Sequence, residues 1–217
     1  MFKPEQVVVI GASGFGRECL DVLEAMAASG AHIQVSGVID DDPSAANLQR
    51  LADRGADYQG TLDSWLARVH GDYRYVLGIG RPGVRRALAD KLDSAGMKAF
   101  TAVHPSATTG WGSVFQDGVV ICAGSAISTN VKLGRHVHVN PNATIGHDSV
   151  LRDFVSVNPG AVISGEVLVE AETLIGAGAT ILQQLTVGPR AVIGAGAVVT
   201  RHVPSDVVVK GVPGVWN

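Results

Sequence analysis

The sequence predicts a Rossmann-like α/β domain followed by a parallel β-helix with a short C-terminal cap. Three observations carry this reading. An apolar residue returns at every sixth position from Phe115 to Val199. A buried-strand run, Gln6 to Ile10, leads straight into the glycine-rich turn Gly11 to Gly16. After Val203-Pro204 the six-residue pattern stops.

The opening QVVVI run suits the middle of a parallel sheet. A helical stretch, Arg17 to Ala28, follows the glycines, with Leu20, Leu23 and Met26 or Ala27 at helical spacing. Strand, glycine loop and helix together open a nucleotide-binding βαβ unit, in which bare backbone approaches a pyrophosphate at a helix N-terminus. The spacing is GxxGxG rather than GxGxxG, so NAD is not the natural ligand. A second strand, Val35 to Ile39, ends in Asp40-Asp41-Asp42-Pro43, where a carboxylate could meet a ribose or base. Glycines and aspartates at adjacent strand ends favour a ligand over a plain turn and a solvated loop. Further strands are expected at Tyr75 to Ile79 and near Lys98 to Ala102, with a helix from Val84 to Ala95 between them. Arg81, Arg85 or Arg86 could approach a phosphate, the others being the solvated face of that helix.

The six-residue series then takes over as Phe115, Ile121, Ile127, Leu133, Val139, Ile145, Leu151, Val157, Ile163, Val169, Ile175, Ile181, Val187, Ile193 and Val199. Period six is neither helix nor hairpin; it fits a short strand and a corner, three to a turn of a triangular coil. Fifteen hexads make five turns. Turns stack at about 4.8 Å, so residues eighteen apart lie one above the other. Glycines such as Gly134, Gly146, Gly176, Gly188 and Gly194 are expected to relieve the corners. The expected boundaries are 1–103 for the nucleotide-binding domain, 104–203 for the coil and 204–217 for a cap over its open end, which would otherwise be an unpaired edge.

Composition limits the function. Charged residues are 17%, hydrophobic ones 46% and the net charge is −3. No basic surplus points to nucleic acid, and no lone apolar stretch points to a membrane span. The start lacks the features of a signal peptide, and the two cysteines, Cys19 and Cys122, read as buried reduced thiols of a cytoplasmic protein.

A coil of this kind is nearly solid, so chemistry belongs on its outside, in a groove between copies. His147 falls at a corner, facing out, beside Asp148. One turn on lies Gly165, which leaves bare backbone over the imidazole, and Glu166 stacks over Asp148. A carboxylate can fix an imidazole's tautomer, as a general base requires, and a bare amide can meet a developing oxyanion. The bland alternative is a surface histidine without a duty. Asn140 and Asn158 also stack, as a substrate-orienting group or as a stabilising ladder, and His138 lies one turn below Ser156. His104, His136 and His202 read as boundary or surface residues. No metal-ligand cluster, GxSxG elbow or reactive cysteine pair is present.

The GASGFG loop, the IDDD strand end, the hexads, the Gly-His-Asp segment and the KGVPG tail, in this order, resemble the NeuD/PglD-type sugar acetyltransferases along essentially the whole chain. The resemblance implies a left-handed β-helix and a homotrimer with acetyl-CoA along the groove between copies. It also implies an N-terminal domain holding a nucleotide-linked sugar. By position His147 matches the catalytic histidine, Asp148 its orienting acid, and Asn140 a polar active-site position. Gly165 matches a glycine whose amide meets the thioester, and Gly176, Gly194 and Ala195 fall where backbone contacts CoA. Gly11, Ser13, Gly14, Gly16, Asp40 and Asp41 fall on the nucleotide-sugar loop, with Arg81 a further substrate contact. Ser156 stands where some members carry a second histidine that holds CoA. The activity implied is acetyl-CoA-dependent N-acetylation of a UDP- or GDP-linked 4-amino-deoxy sugar, by direct attack on the thioester and without a metal. O-acetylation of a sialic-acid-like sugar, a γ-carbonic-anhydrase-like zinc enzyme using His136, His138 and His147, and a nucleotide-sugar sensor are the alternatives.

Overall fold

The computed structural model describes residues 3–69 and 71–216. The first domain is a four-stranded parallel sheet in the order β2-β1-β3-β4, built from β1 (Glu5–Ile10), β2 (Ile33–Ile39), β3 (Tyr73–Leu77) and β4 (Lys98–Ala99). Val7, Val8 and Val9 are fully buried, as a central strand requires. Helix α1 (Gly14–Ala28) starts three residues earlier than the apolar spacing indicates, inside the glycine run. A Cβ at Gly16 would overlap the Gly11 carbonyl, so only glycine lets the helix sit this close to the strand end. Two helices escape an apolar-periodicity reading. One is α2 (Ala45–Arg54), capped by Ser44 and stopped by Gly55 at φ 73°; the other is the short α3 (Leu62–Leu66), capped by Thr61. Helix α4 (Pro82–Ser94) starts on a proline, whose fixed φ suits a first turn.

The strand expected from Lys98 to Ala102 divides. Lys98–Ala99 pairs with β3, whereas β5 (Ala102–Val103) already pairs with Val120–Ile121 of the coil, two residues before the boundary drawn from the sequence. From there the chain winds as a left-handed parallel β-helix. Its three walls hold seven, six and five strands among the described residues, each paired with the strand eighteen residues on, as Lys132↔Val150 and Thr144↔Val162 illustrate, except that the last pair, Val192↔Val208, is sixteen apart. The interior is the expected series: Ile121 through Val199 are all 3% exposed or less. Phe115, on a lower turn, is only partly covered.

The corners differ from expectation. Gly134, Gly146, Gly176, Gly188 and Gly194 do not supply the left-handed backbone. They let one corner press on the next: a Cβ on Gly146 would lie 2.5 Å from Gly165 N. The left-handed residue comes two positions later, at Asn130, His136, Asn142, Asp148, Phe154, Glu166, Glu172, Gln184 and Arg190 as well as at glycines, with φ of 53 to 62° for these nine. The coil imposes this conformation on side chains that disfavour it by about 1 kcal/mol or more each. Beyond Val203, Val208–Val209 adds a last strand beside Val192–Ile193, Lys210 and Val215 close a small antiparallel loop, and Arg201 lies over the Trp216 ring at 4.4 Å.

The first domain packs on the outer face of the seven-stranded wall. Cys19 and Leu20 of α1 join Ala102, Val120 and Cys122 in one apolar cluster, and burial pushes both thiols up, that of Cys122 to about 12. Phe15 covers the His138 ring at 4.6 Å, and His136 is stacked between Tyr75 and Phe154. His136 is therefore a fully buried junction residue rather than the surface residue its sequence context suggested.

Arg85 is corrected in the same way. It is fully buried and donates to the carbonyls of Ile79, Gly80, His136, Phe154 and Val155 and to Ser156 Oγ. Burial lowers its pKa to about 9, so it stays charged at neutral pH. It pins the two domains together, while its neighbour Arg86 pairs with Glu172 at 2.6 Å.

Burial holds His138 well below its ordinary range; burial, then Arg135 and Arg85, hold His136 down to about 4. The unfolded chain protonates these rings near pH 6.5, the folded chain only below that. The stability they confer is thus present above about pH 6.5 and is lost as the pH falls toward 4. The urea midpoint should fall across that window, and His136→Gln should flatten the slope; a parallel slope in the variant would contradict this account.

Candidate active site

His147 and Asp148 occupy the corner between strands Thr144–Ile145 and Val150–Leu151, after the close-packed Gly146. Both side chains are about half exposed, and His147 Nδ1 lies 2.8 Å from Asp148 Oδ2. The other carboxylate oxygen, Oδ1, accepts from the Asn130 amide at 2.9 Å, one turn below. The Asn130 bond first, and the His147 bond next, hold the Asp148 carboxyl below the usual carboxylate range. An ionised Asp148 accepts a proton-bearing Nδ1, which leaves the lone pair of Nε2 free to take a proton. Above this nitrogen is Gly165. A Cβ there would lie 2.5 Å from Nε2, so no other residue leaves the imidazole in place. Among the described residues no acceptor engages the Gly165 N–H, which is available for an oxyanion.

Gly165→Ala is the sharpest local test of this corner. The added methyl must push the ring off Asp148, and turnover should drop by about 10- to 100-fold with the fold intact, as read from kcat and circular dichroism. Unchanged kcat would show that the ring does not need its present position.

The remaining sequence-predicted residues fall in three other places. Asn140, Asn158, Gly176 and Gly194 line a different corner, with Ala195 beside them, at the other edge of the six-stranded wall. Asn140 is 7% exposed and donates to Val157 O at 2.9 Å, not to Asn158, so the two asparagines do not form a ladder. Higher on this corner Gly176 and Gly194 carry no side chains and Ala195 is exposed, a bare strip that fits a long, thin ligand. Ser156 is 2% exposed under the first domain, where it accepts from Arg85 and donates to Gly80 O. It is a junction residue, so the expectation that it holds CoA is corrected by its burial. His136 and His138 are sealed at that junction too, so they cannot converge with His147 on a metal.

The third place is the glycine loop. Gly11, at φ 114°, turns the chain off β1, and Ser13 caps α1 without a side-chain bond. Asp40 is spent on structure: Oδ2 accepts from Ala12 N at 2.7 Å and Oδ1 from Asp42 N at 3.0 Å, tying the loop to the end of β2. Asp41 accepts from Leu62 N through one oxygen, and among the described residues no donor engages the other. Beside them a cleft of about 440 Å³ runs between apolar Ile10, Ile39, Leu62 and Leu88, with Lys91 among its polar groups. Arg81 is exposed at the start of α4 and does not line this cleft. A larger depression, about 820 Å³, opens among Lys3, Glu5, Tyr73 and Lys98 at the opposite ends of the strands, away from the glycine loop.

Sequence reasoning missed Asn130, although the eighteen-residue register places it under Asp148. It also missed Lys91, which carries no motif.

The PglD N-terminal domain family matches residues 6–92. The fold is similar along nearly its full length to a variant of perosamine N-acetyltransferase from Caulobacter crescentus in complex with CoA and GDP-perosamine. The TM-score is 0.88 and the identity 28%, covering 98% of this chain and 96% of that one. The acetyltransferase domain of PglB from Neisseria gonorrhoeae is similar at TM-score 0.84 and 29% identity, covering 98% of this chain and 100% of that one. WeeI from Acinetobacter baumannii is similar at TM-score 0.87 and 27% identity, with 98% and 100% covered. Residues 6–92 are thus a PglD N-terminal domain, set ahead of a left-handed β-helix that carries the His147-Asp148 corner, and the chain as a whole is similar to sugar acetyltransferases of the NeuD/PglD type.

Proposed function

We propose that this protein is an acetyl-CoA-dependent N-acetyltransferase for the amino group of a UDP- or GDP-linked 4-amino-deoxy sugar, working as a cytoplasmic homotrimer. The observation that carries the reading is the His147 corner: a base oriented by Asp148, its free nitrogen facing a glycine with an available amide. Relatives of the same length act on, or are bound to, GDP-perosamine and CoA, which supports the substrate classes. The sugar nitrogen attacks the thioester carbonyl and the carbon–sulfur bond breaks. His147 Nε2 takes the proton from nitrogen and returns it to the leaving thiolate, while Gly165 N–H steadies the oxyanion. The bare strip at Gly176, Gly194 and Ala195 is suited to lie along the CoA chain. The glycine loop from Gly11 to Gly16 is suited to hold the sugar's diphosphate, with Asp41 and the adjoining cleft receiving the base.

A geometric conflict supports the pairing of more than one copy. The first domain covers the seven-stranded wall, whereas His147 stands on the edge where the other two walls meet, across the prism. A nucleotide sugar held by one copy must therefore meet His147 of another. Mixed trimers of His147→Ala and Gly14→Asp chains test this. A Cβ on Gly14 meets open space, so the aspartate should fold while repelling the diphosphate. Each variant alone should be inactive, and the mixture should regain about a quarter of wild-type activity, as random assembly in a closed ring gives. No recovery on mixing would place both halves of the site in one copy.

A further inference from the structure

We infer that Trp111 forms the acceptor wall of the site, packing its indole against the apolar face of the nucleotide-linked sugar that a neighbouring copy presents to His147. The inference rests on the functional reading above and adds a residue that determines which sugars are taken. Trp111 is 84% exposed, whereas Trp65 is buried and Trp216 lies under Arg201. An indole this exposed leaves both ring faces open to a ligand. Its corner is held rigidly: a Cβ on Gly110 would strike the Ser128 backbone at 2.5 Å, and Gly112 takes φ 72° beneath Asn130.

The position is set by the coil. Asn130 N and Thr129 Oγ1 both donate to Trp111 O, at 2.9 and 2.8 Å, and Asp148 N donates to Thr129 O at 3.0 Å. Trp111, Thr129 and His147 thus stand in one column on the same edge, with two turns, about 10 Å, from first to last. Between them is only the small Thr129, its hydroxyl turned down to the Trp111 carbonyl. Above His147 the bare Gly165 leaves room for the thioester, so the acceptor sugar must approach from below, within reach of the indole. A hexose ring offers a face of C–H groups, and a deoxy sugar adds a methyl; both suit a flat aromatic surface.

The test compares Trp111→Ala and Trp111→Phe with wild type at saturating acetyl-CoA. Alanine should raise KM for the nucleotide sugar about tenfold, leaving kcat and KM for acetyl-CoA near wild type, and phenylalanine should recover most of the loss. The molar mass from light scattering should stay that of the trimer. Wild-type fluorescence should change on adding the nucleotide 4-amino sugar but not the nucleoside diphosphate alone, and Trp111→Phe should abolish the change. An unchanged KM in the alanine variant overturns the inference, as does a fall in molar mass, which would make Trp111 a contact between copies. A nucleotide sugar that perturbs Trp111 without being acetylated supports the inference while refuting the N-acetyltransferase reading.

Discussion

Replacing His147 with alanine lowers turnover by about 10²- to 10⁴-fold while CoA binding is retained. The loss is this large because the imidazole is the base that Asp148 orients toward the bare Gly165. Asp148 is already committed through both oxygens, to Asn130 and to His147. The CoA-contacting strip proposed at Gly176, Gly194 and Ala195 lies on another edge and owes nothing to the ring. Kcat from thiol release and Kd for CoA from calorimetry separate the two effects. Near-wild-type turnover would remove His147 from the chemistry; parallel loss of CoA binding would make it a ligand contact instead.

Arg85→Met destabilises the protein by about 3 kcal/mol, although it removes a buried charge. The gain from no longer desolvating the guanidinium is outweighed by three carbonyls, of Ile79, His136 and Phe154, for which Arg85 is the donor seen among the described residues. Each buried acceptor left without a partner costs about 1 to 3 kcal/mol. Lysine should restore little, because a single ammonium cannot reach acceptors on a strand end and two coil turns at once. Urea unfolding at pH 7.5 is the measurement. A change below about 0.5 kcal/mol would mean that the junction is held by its apolar contacts alone.

The coil was legible because its signal is an interior residue that no local context can disguise, and the register it fixes put Gly165 over His147 without any coordinates. The same register hid its own corners. Left-handed backbone at Phe154, Glu172 or Arg190 is imposed by winding, and those residue types do not announce it. In the first domain, strand and glycine loop were plain, but α2 has one buried residue, Leu51, and so shows little apolar pattern. Arg85 looked like one more charge on a helix face, and His136 like a corner residue in water. Both are buried by the docking of two domains, a contact that neither segment encodes locally. Asp40 was placed correctly at the strand end, yet its oxygens are taken by Ala12 and Asp42. A carboxylate's position is readable from a pattern; its hydrogen-bond partners are not.

The central claim, acetyl transfer to a nucleotide-linked amine, is tested most directly by thiol release from acetyl-CoA with UDP- and GDP-linked 4-amino sugars beside their 4-hydroxyl counterparts, followed by treatment of the product with hydroxylamine. The account predicts release with an amino sugar alone and a product that withstands hydroxylamine, as an amide does. Release with the hydroxyl sugars, giving an ester that hydroxylamine cleaves, or no release from any of them while CoA still binds, would contradict it.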